Sequence, residues 1–518
     1  MERLVSDDRL TSSWAVQLIP IFGVLYLFYS LSPWLWFSHS FVNNRKGYEI
    51  LWTNAMIRFK ENGKGIMAEG FAKYGNAFYV MTDYGIHLAL SPKYANEIRN
   101  DPRLSPDMYN AEMLNGHLYG FEGVRIDSVE MKFFHDMIQN RLTPMLGKLL
   151  APLVVEAEDA IRKHWTDSTE WHEVKLYNSA GAISKQVSGR AFAGEELCRH
   201  PDWLEGCEQY TRDIFAAGAT VRMFPGFIRP LVARFVPQCH VLHERLDSIA
   251  KMIQTVIDKR RADREASVSQ GKDPKEHLDL LQDMEAFSNS SAKDMAVLQL
   301  KGVLASVNAV QEIMAQTVFN ICANPELIPS LREEIITNIG AEGWKRTSFH
   351  KLQLLDSVMK ETLRMKPGTM APMSRGALES ITLSDGLKIP KGTLVNLMCH
   401  NMWDEDVYPN ANQFDGYRFY RLRQHAETRN QAHLVSATPD YLGFGLGKHS
   451  CPGRFFAETT IKFVVAHLLL KYDMKLVDGI EPRVEHIGNA ILANSSAPIA
   501  IRRRKEEIAL DINMSDQL

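Results

Sequence analysis

Several features that would point directly to a function are missing from this 518-residue chain. Its six cysteines are far apart and no two form a C-x-x-C pair, so zinc-ribbon and dithiol-redox functions lack support. The wide spacing also argues against a disulfide framework and for a reducing compartment. The net charge of −3 gives no reason to expect nucleic acid as a partner. No strand–GxGxxG–helix unit occurs, so any electrons that the protein uses come from another protein.

Charged residues are absent from one long stretch near the N-terminus. Residues 11–44 contain no Lys, Arg, Asp or Glu, and the run 14–37 is dominated by aliphatic and aromatic residues. A spanning helix needs about 20 such residues, whereas the apolar core of a cleaved signal peptide has only about 7–15 and precedes a small-residue cleavage site, which is not seen here. Arg45 and Lys46 follow directly and give a weak positive-inside bias that places the remaining chain in the cytosol. We therefore predict a membrane anchor over residues 1–44, with a helix over about 14–37, and one catalytic domain over residues 45–518.

After the predicted anchor, helical patterns dominate and strand-like pieces are short, which predicts a mainly α fold with small β-sheets. The charged stretch 245–264 predicts a solvated helix face. The proline-rich apolar stretch 223–237 predicts an irregular connection, which either packs as an ordinary loop or dips into a bilayer surface. The other predicted elements are a hairpin over 76–91, a helix over 127–163 with breaks near Pro144 and Pro152, a long helix over 291–324, and a strand over 387–397.

The most informative stretch runs from Tyr441 to Phe456. Its glycines at 443, 445 and 447 allow tight turns and close backbone approach. Cys451 follows, and Pro452 then opens an apolar run with helical spacing to about Leu470. A cysteine just before a helix N-terminus is favoured as thiolate. The stretch therefore predicts a thiolate presented to a metal in a dry pocket, with a buried structural cysteine as the alternative.

A second signal is the pair Glu361 and Arg364, which lie three residues apart on one predicted helix face and can form an ion pair. Such pairs are common on protein surfaces and carry little information alone. Arg375, the strand-like stretch 387–397 and a segment containing Arg418 follow in order, before the glycine-rich loop.

This order, together with the pattern Phe444-x-x-Gly447-x-x-x-Cys451-x-Gly453, resembles the cytochrome P-450 family. The residues around the cysteine resemble the fungal branch that tailors terpenoids, alkaloids and related secondary metabolites. The resemblance implies a cytochrome P-450 fold with haem b as cofactor. It makes Cys451 the axial ligand of the haem iron, and a thiolate in that position favours O–O cleavage.

The resemblance also implies roles for several other residues. Glu361, Arg364 and Arg418 would form a structural cluster that locks the core beneath the haem. Arg375 and His449 match positions that bind the haem propionates in relatives. The whole implied cofactor-binding set is Cys451, His449, Arg375, Phe444, Gly447 and Gly453, with His135 and Arg141 as further candidates.

The chain departs from the family pattern on the side of the haem where oxygen binds. Alignment places residues 305–310 over the oxygen-binding kink, and Asn308 replaces the usual acid. Ala309 replaces the usual threonine and has no hydroxyl to assist proton delivery. We take Ser306, Asn308 and Ala309 as the catalytic candidates. Groups that could compensate for the missing hydroxyl are Ser306, Asn308, Gln311, Glu312, an ordered water and a hydroxyl of the substrate.

Three functions follow from these features. The expected one is a single-pass monooxygenase of the endoplasmic reticulum membrane that oxidises a small lipophilic secondary metabolite with O2 and electrons from an NADPH-cytochrome reductase. The alternative is a haem-thiolate isomerase, dehydratase or oxidative cyclase, which would not need the threonine. The third is a degenerate haem protein used for ligand binding or scaffolding, which the intact glycine-rich loop disfavours.

Overall fold

The computed structural model describes residues 40–47, 49, 51–286 and 291–508. The predicted anchor helix over 14–37 lies outside these residues. Within the described ranges, no helix is both long and apolar enough to cross a membrane.

Helices make up most of the described chain, and thirteen short strands lie between them. The helices are α1 (Thr53–Tyr74), α2 (Ala95–Ile98), α3 (Pro106–Leu114), α4 (Ser128–Met137), α5 (Thr143–Trp165), α6 (Leu176–Phe192), α7 (Pro201–Arg222), α8 (Arg229–Val232), α9 (Pro237–Ser269), α10 (Leu280–Ala286), α11 (Ala292–Ala323), α12 (Leu327–Glu342), α13 (Arg346–Lys351), α14 (Gln353–Met365), α15 (Arg418–Arg423) and α16 (Arg454–Lys471). The strands are β1 (Phe41–Val42), β2 (Ala77–Thr82), β3 (Gly85–Leu90), β4 (Leu104–Ser105), β5 (His172–Lys175), β6 (Met373–Ala377), β7 (Ile381–Thr382), β8 (Lys388–Ile389), β9 (Leu394–Leu397), β10 (Tyr472–Leu476), β11 (Glu485–Ile487), β12 (Ala490–Leu492) and β13 (Pro498–Arg503).

The strands form four small sheets, the largest with the order β1-β2-β3-β9-β6-β4. The predicted hairpin over 76–91 is present as the antiparallel pair β2 and β3. The strand predicted over 387–397 is wrong, because the chain turns between Pro390 and Thr393 and β8 and β9 join different sheets. Gly392 permits that turn with a φ of 84°.

The long helix predicted over 291–324 is confirmed as α11, which is the central element of the fold. The Ser291 side chain caps its N-terminus by accepting a 3.1 Å hydrogen bond from the Asp294 amide. The Asn324-Pro325 step ends it. It packs against α6, α9, α14 and α16, so other helices surround it on several sides.

The helix predicted over 127–163 has one irregularity instead of two breaks. A π-helical turn over Ile138–Leu142 joins α4 to α5, and Pro144 follows in the first turn of α5 without breaking the helix. Pro152 lies inside α5 without ending it. Its local cost of roughly 3 kcal/mol is offset by the burial of neighbours such as Leu149 and Leu153.

The prediction of a solvated face over 245–264 is wrong at Arg260. This side chain is buried and forms two hydrogen bonds to Asp279, at 3.0 and 2.9 Å, and two to Glu196, at 3.0 and 2.6 Å. Helical spacing could not show this network, since both acids lie outside α9.

Candidate active site

A cavity of about 390 Å³ lies between α11 and the loop that precedes α16. Phe444, Cys451 and Gly453 line it on the loop side, and Ala305 and Ala309 line it on the α11 side. Its size and its largely apolar walls suit a cofactor or a small ligand. One wall of the cavity was not predicted, although its apolar residues recur every four positions in the sequence. That wall consists of Phe134, Ile138 and Leu142, from α4 and the π-helical turn.

Cys451 is held at the cavity by backbone contacts. Its amide donates a 2.8 Å hydrogen bond to the carbonyl of Phe444. Burial raises the pKa of the thiol above its ordinary value, whereas the amides of Gly453 and Arg454 lower it. The helix begins at Arg454, two residues later than predicted from Pro452. The two amides therefore lower the pKa of the thiol by less than burial raises it. A metal ion bound to the sulfur would stabilise the deprotonated thiolate.

Gly447 shapes the loop by a backbone conformation that other residues rarely adopt. Its φ is 78°, and a Cβ atom there would lie 2.6 Å from Oδ1 of Asn100 and 3.0 Å from the carbonyl oxygen of Arg99. Any side chain at this position would push the loop away from the end of α2.

A positively charged group lies next to the cavity. Arg375, from β6, is buried, and burial lowers its pKa to about 10. Its only hydrogen bond among the described residues runs to the carbonyl of Ser374 at 2.8 Å, and its Nε has no partner. His449 lines the cavity, and burial followed by the charges of Arg375, Lys448 and His135 lowers its pKa to about 4. A buried guanidinium without a carboxylate is costly, so the two propionates of haem fit this group.

The structure does not bring Arg141, one of the further cofactor-binding candidates, to the cavity. The Arg141 side chain is 69% exposed and lies 3.7 Å from the Asp283 carboxylate. In the π-helical turn, Ile138 and Leu142 take the positions on the cavity wall, and Arg141 faces outward. His135 remains close enough to His449 to influence its pKa.

On α11, Ser306 and Ala309 line the cavity as predicted, but Asn308 does not. Asn308 faces a second cavity of about 720 Å³ on another side of the helix, together with Gln311. Its side chain donates a 3.3 Å hydrogen bond to the carbonyl of Leu304. Residues 305 and 309 share a helix face because they are four apart, whereas 308 and 311 share another. The structure therefore places Asn308 at the second cavity and not at the cavity that Cys451 lines.

The three residues of the predicted structural cluster meet in the structure. Arg364 donates two hydrogen bonds of 2.8 Å to the Glu361 carboxylate, and Arg418 donates to the same carboxylate at 3.0 and 3.1 Å. The remaining Arg364 donors reach the carbonyls of Met402 and Ala411. The side chains of Glu361 and Arg364 have no solvent exposure. Because each of the three nitrogens of the buried guanidinium donates at least one hydrogen bond, the cluster fixes α14 to the segment that precedes α15.

Comparisons with known proteins agree with this geometry. The family model for cytochrome P450 matches residues 45–501. The cytochrome P450 monooxygenase esdpI of Penicillium shearii is 41% identical over 98% of this chain and 99% of its own. The cytochrome P450 monooxygenase nodR of Hypoxylon pulicicidum is 40% identical over 95% of this chain and 97% of its own.

The fold is also that of a solved structure, the retinoic acid-bound cyanobacterial CYP120A1. Its TM-score is 0.64 at 16% identity, and the alignment covers 87% of this chain and 96% of that one. The resemblance to the fungal members of the family and the expected cofactor, haem b, are both confirmed. The chain therefore belongs to the cytochrome P450 family and is a haem-containing monooxygenase.

Proposed function

We propose that the protein is a membrane-anchored monooxygenase that oxidises a small lipophilic secondary metabolite of the terpenoid or alkaloid type. The observation that carries this proposal is the cavity between Cys451 and α11, whose walls are mainly aliphatic and aromatic. Burial of a lipophilic molecule against such walls is favourable because its apolar surface leaves water. A polar molecule would lose its hydrogen bonds to water and find few partners in the cavity. The residues around Cys451, which resemble the fungal tailoring branch, support the substrate class.

In this proposal, the Cys451 sulfur would hold the haem iron, and Arg375 and His449 would hold the propionates, with His135 close to His449. When bound, haem b supplies the oxidising centre that inserts one oxygen atom of O2 into a C–H bond. The protein orients the substrate with its apolar walls and excludes water from the reacting carbon. The buried Glu361 cluster keeps α14 and the segment before α15 in place.

The electrons come from an NADPH-cytochrome reductase in this proposal. The support is in the sequence, which has no strand–GxGxxG–helix unit for a flavin or nicotinamide of its own. The stoichiometry of monooxygenation requires two electrons and two protons for each O2.

We further propose that the catalytic domain lies on the cytosolic face of the endoplasmic reticulum membrane, anchored by residues 14–37. The connection over 223–237 supports this, since it exposes a group of large apolar side chains on short helical turns. Exposed apolar patches of this kind mark contacts with proteins or membranes. The most exposed members, with exposed fractions of 62–78%, are Met223, Phe227, Leu231 and Phe235.

A second candidate function is isomerisation, dehydration or oxidative cyclisation of a substrate that is already oxidised. The observation that favours it is Ala309, which lines the cavity where a hydroxyl would otherwise assist proton delivery. Isomerisation and dehydration are redox-neutral and need no external electrons, whereas an oxidative cyclisation still needs an oxidant.

One experiment separates the two functions. The full chain is combined with a purified fungal NADPH-cytochrome reductase and supplied with terpenoid and alkaloid extracts under O2. Products that form only with reductase and NADPH support the monooxygenase, and incorporation of label from ¹⁸O2 identifies the inserted atom. Turnover without reductase would contradict it and favour the second function.

A further inference from the structure

Glu312 lies on α11 one turn after Ala309, and it is a buried carboxylate that lines the cavity. Its Oε1 accepts hydrogen bonds from the Ala493 amide at 2.7 Å and from Nε2 of Gln316 at 3.0 Å. Its Oε2 is equally buried but has no hydrogen-bond donor among the described residues. Oε1 therefore connects α11 to the residue after β12, whereas Oε2 accepts no hydrogen bond from the described residues and is able to exchange a proton.

On another side of α11 lies the second cavity, whose lining is polar and partly charged, with Lys185, Glu208 and Arg212 among its residues. Tyr177 also lines the second cavity, and its phenol is close enough to Glu312, which lines the first cavity, for the two groups to interact electrostatically. Burial, and then the nearby Glu312 carboxylate, raises the pKa of the Tyr177 phenol to about 12. Tyr177 is held against α11, since its carbonyl accepts a 2.9 Å hydrogen bond from Nε2 of Gln311, and its phenol stays protonated at neutral pH.

The groups that surround the Glu312 carboxyl determine its pKa. Burial raises its pKa to about 7, and the opposing contributions come from Gln316, the Ala493 amide, Lys366 and Tyr177. Lys366 acts from a distance, since its ammonium group donates a 2.9 Å hydrogen bond to Asn320. Both the protonated and the ionised forms of Glu312 are therefore populated near neutral pH, as a proton-transfer residue requires.

Ser306 provides a second free group in the same cavity. Its hydroxyl is buried and has no hydrogen-bond partner among the described residues. It lies six residues before Glu312 on α11, with Ala309 between them along the helix. Both side chains line the same cavity, and a water that bridges them would complete the path between the two polar groups.

We propose that Glu312 relays protons to the oxygen side of the cavity, with Tyr177 connecting it to the second cavity and Ser306 receiving protons through water. This inference rests on the proposed monooxygenase function. Oxidation of one C–H bond by O2 consumes two electrons from the reductase and two protons, and it yields a hydroxylated product and one water. Each proton leaves the Glu312 carboxyl on the cavity side and is replaced from the Tyr177 side, so the carboxyl is unchanged after the cycle.

The test compares three variants of the full-length, haem-loaded chain with reductase, NADPH and a substrate found by the product screen. Glu312→Gln keeps the size and an acceptor for the Ala493 amide but cannot exchange a proton. Tyr177→Phe removes only the connecting hydroxyl. Glu334→Gln is the matched control, because Glu334 is a carboxylate outside the cavity that accepts the Leu354 and Leu355 amides at 2.7 and 3.1 Å.

General acid–base groups contribute typically about 10²–10⁴-fold to a rate, so we expect Glu312→Gln to lower product per NADPH consumed by at least about tenfold. Hydrogen peroxide should rise correspondingly, and Tyr177→Phe should have a smaller effect in the same direction. Glu334→Gln should leave the ratio unchanged. An unchanged ratio in Glu312→Gln overturns the inference and leaves the monooxygenase function standing. If the wild-type chain forms no product with reductase, the monooxygenase function fails, and this inference fails with it.

A second readout does not depend on turnover. In the infrared difference spectrum between the wild-type chain and Glu312→Gln, the carbonyl band of a protonated carboxylic acid should be present at mildly acidic pH. The band should fade as the pH rises through about 7. Absence of the band at mildly acidic pH would show that Glu312 is ionised throughout and would overturn the proposed relay.

Discussion

Replacing Glu361 by glutamine removes the one negative charge of a cluster that contains two arginines. Both carboxylate oxygens accept hydrogen bonds of 2.8 Å from Arg364, and the same carboxylate is 3.0 Å from Arg418. The variant keeps the size of the side chain but leaves the unexposed Arg364 guanidinium without a counter-charge. Breaking a buried ion pair in this way costs about 3–5 kcal/mol.

This cost converts into a measurable shift in melting temperature. An unfolding entropy of about 2.1 cal/mol/K per residue gives about 1.1 kcal/mol/K for 518 residues. Glu361→Gln should therefore melt about 3–5 °C lower than the wild-type chain, measured by circular dichroism at equal haem content.

Arg421→Gln is the matched control for this experiment. It breaks the Arg421–Asp415 pair, whose side chains are 59% and 32% exposed. An exposed pair of this kind contributes only about 0–1 kcal/mol, so the expected shift is within about 1 °C. If Glu361→Gln melts no lower than Arg421→Gln, the buried charge cluster does not stabilise the fold.

Three further predictions concern the cavity and the apolar patch. First, the folded Glu312 carboxyl releases its proton near pH 7, whereas the unfolded one releases it near 4.5. The free energy of unfolding should therefore fall by about 3 kcal/mol more in the wild type than in Glu312→Gln as the pH rises through this interval, and denaturant titrations at about pH 5 and 8 check the difference. Second, Arg375→Leu should purify with less haem per protein than the wild type, and Arg375→Lys with an intermediate amount, because only a cation neutralises a propionate. Equal haem content in all three would contradict this role. Third, a chain lacking residues 1–44 should sediment with neutral phosphatidylcholine vesicles, and the double variant Phe227→Ser and Phe235→Ser should bind at least about tenfold more weakly. Unchanged binding would mean that this patch does not contact the bilayer.

The sequence predicted those parts of the site that depend on local patterns. The glycine-rich loop placed Cys451 and Phe444 at the cavity because glycine positions and the start of a helix leave direct local signals. The pairing of Glu361 with Arg364 followed from helical spacing alone. Arg418 was matched through the resemblance to the family, since its position 54 residues after Arg364 carries no local signal.

The sequence is less informative where contacts between distant segments decide the outcome. Alignment predicts Asn308 on the oxygen side, whereas in the structure it lines the second cavity. Position in the chain makes Arg141 a candidate, but the π-helical turn that contains it directs Ile138 and Leu142 inward instead. The buried position of Arg260 leaves no local signal, because its two carboxylate partners lie on other segments. Local periodicity does not contain this information.

The most direct test of the central claim is the spectrum of the reduced, carbon monoxide-bound protein, recorded for the wild-type chain and for Cys451→Ser. Cys451 is the only cysteine that lines the cavity among the described residues, so the other thiols cannot replace it. We predict the red-shifted Soret band of thiolate-ligated haem in the wild type, and its loss in Cys451→Ser with the helical circular dichroism retained. A wild-type spectrum without that shift, or a Cys451→Ser variant that keeps it, would contradict the assignment of Cys451 as the axial ligand.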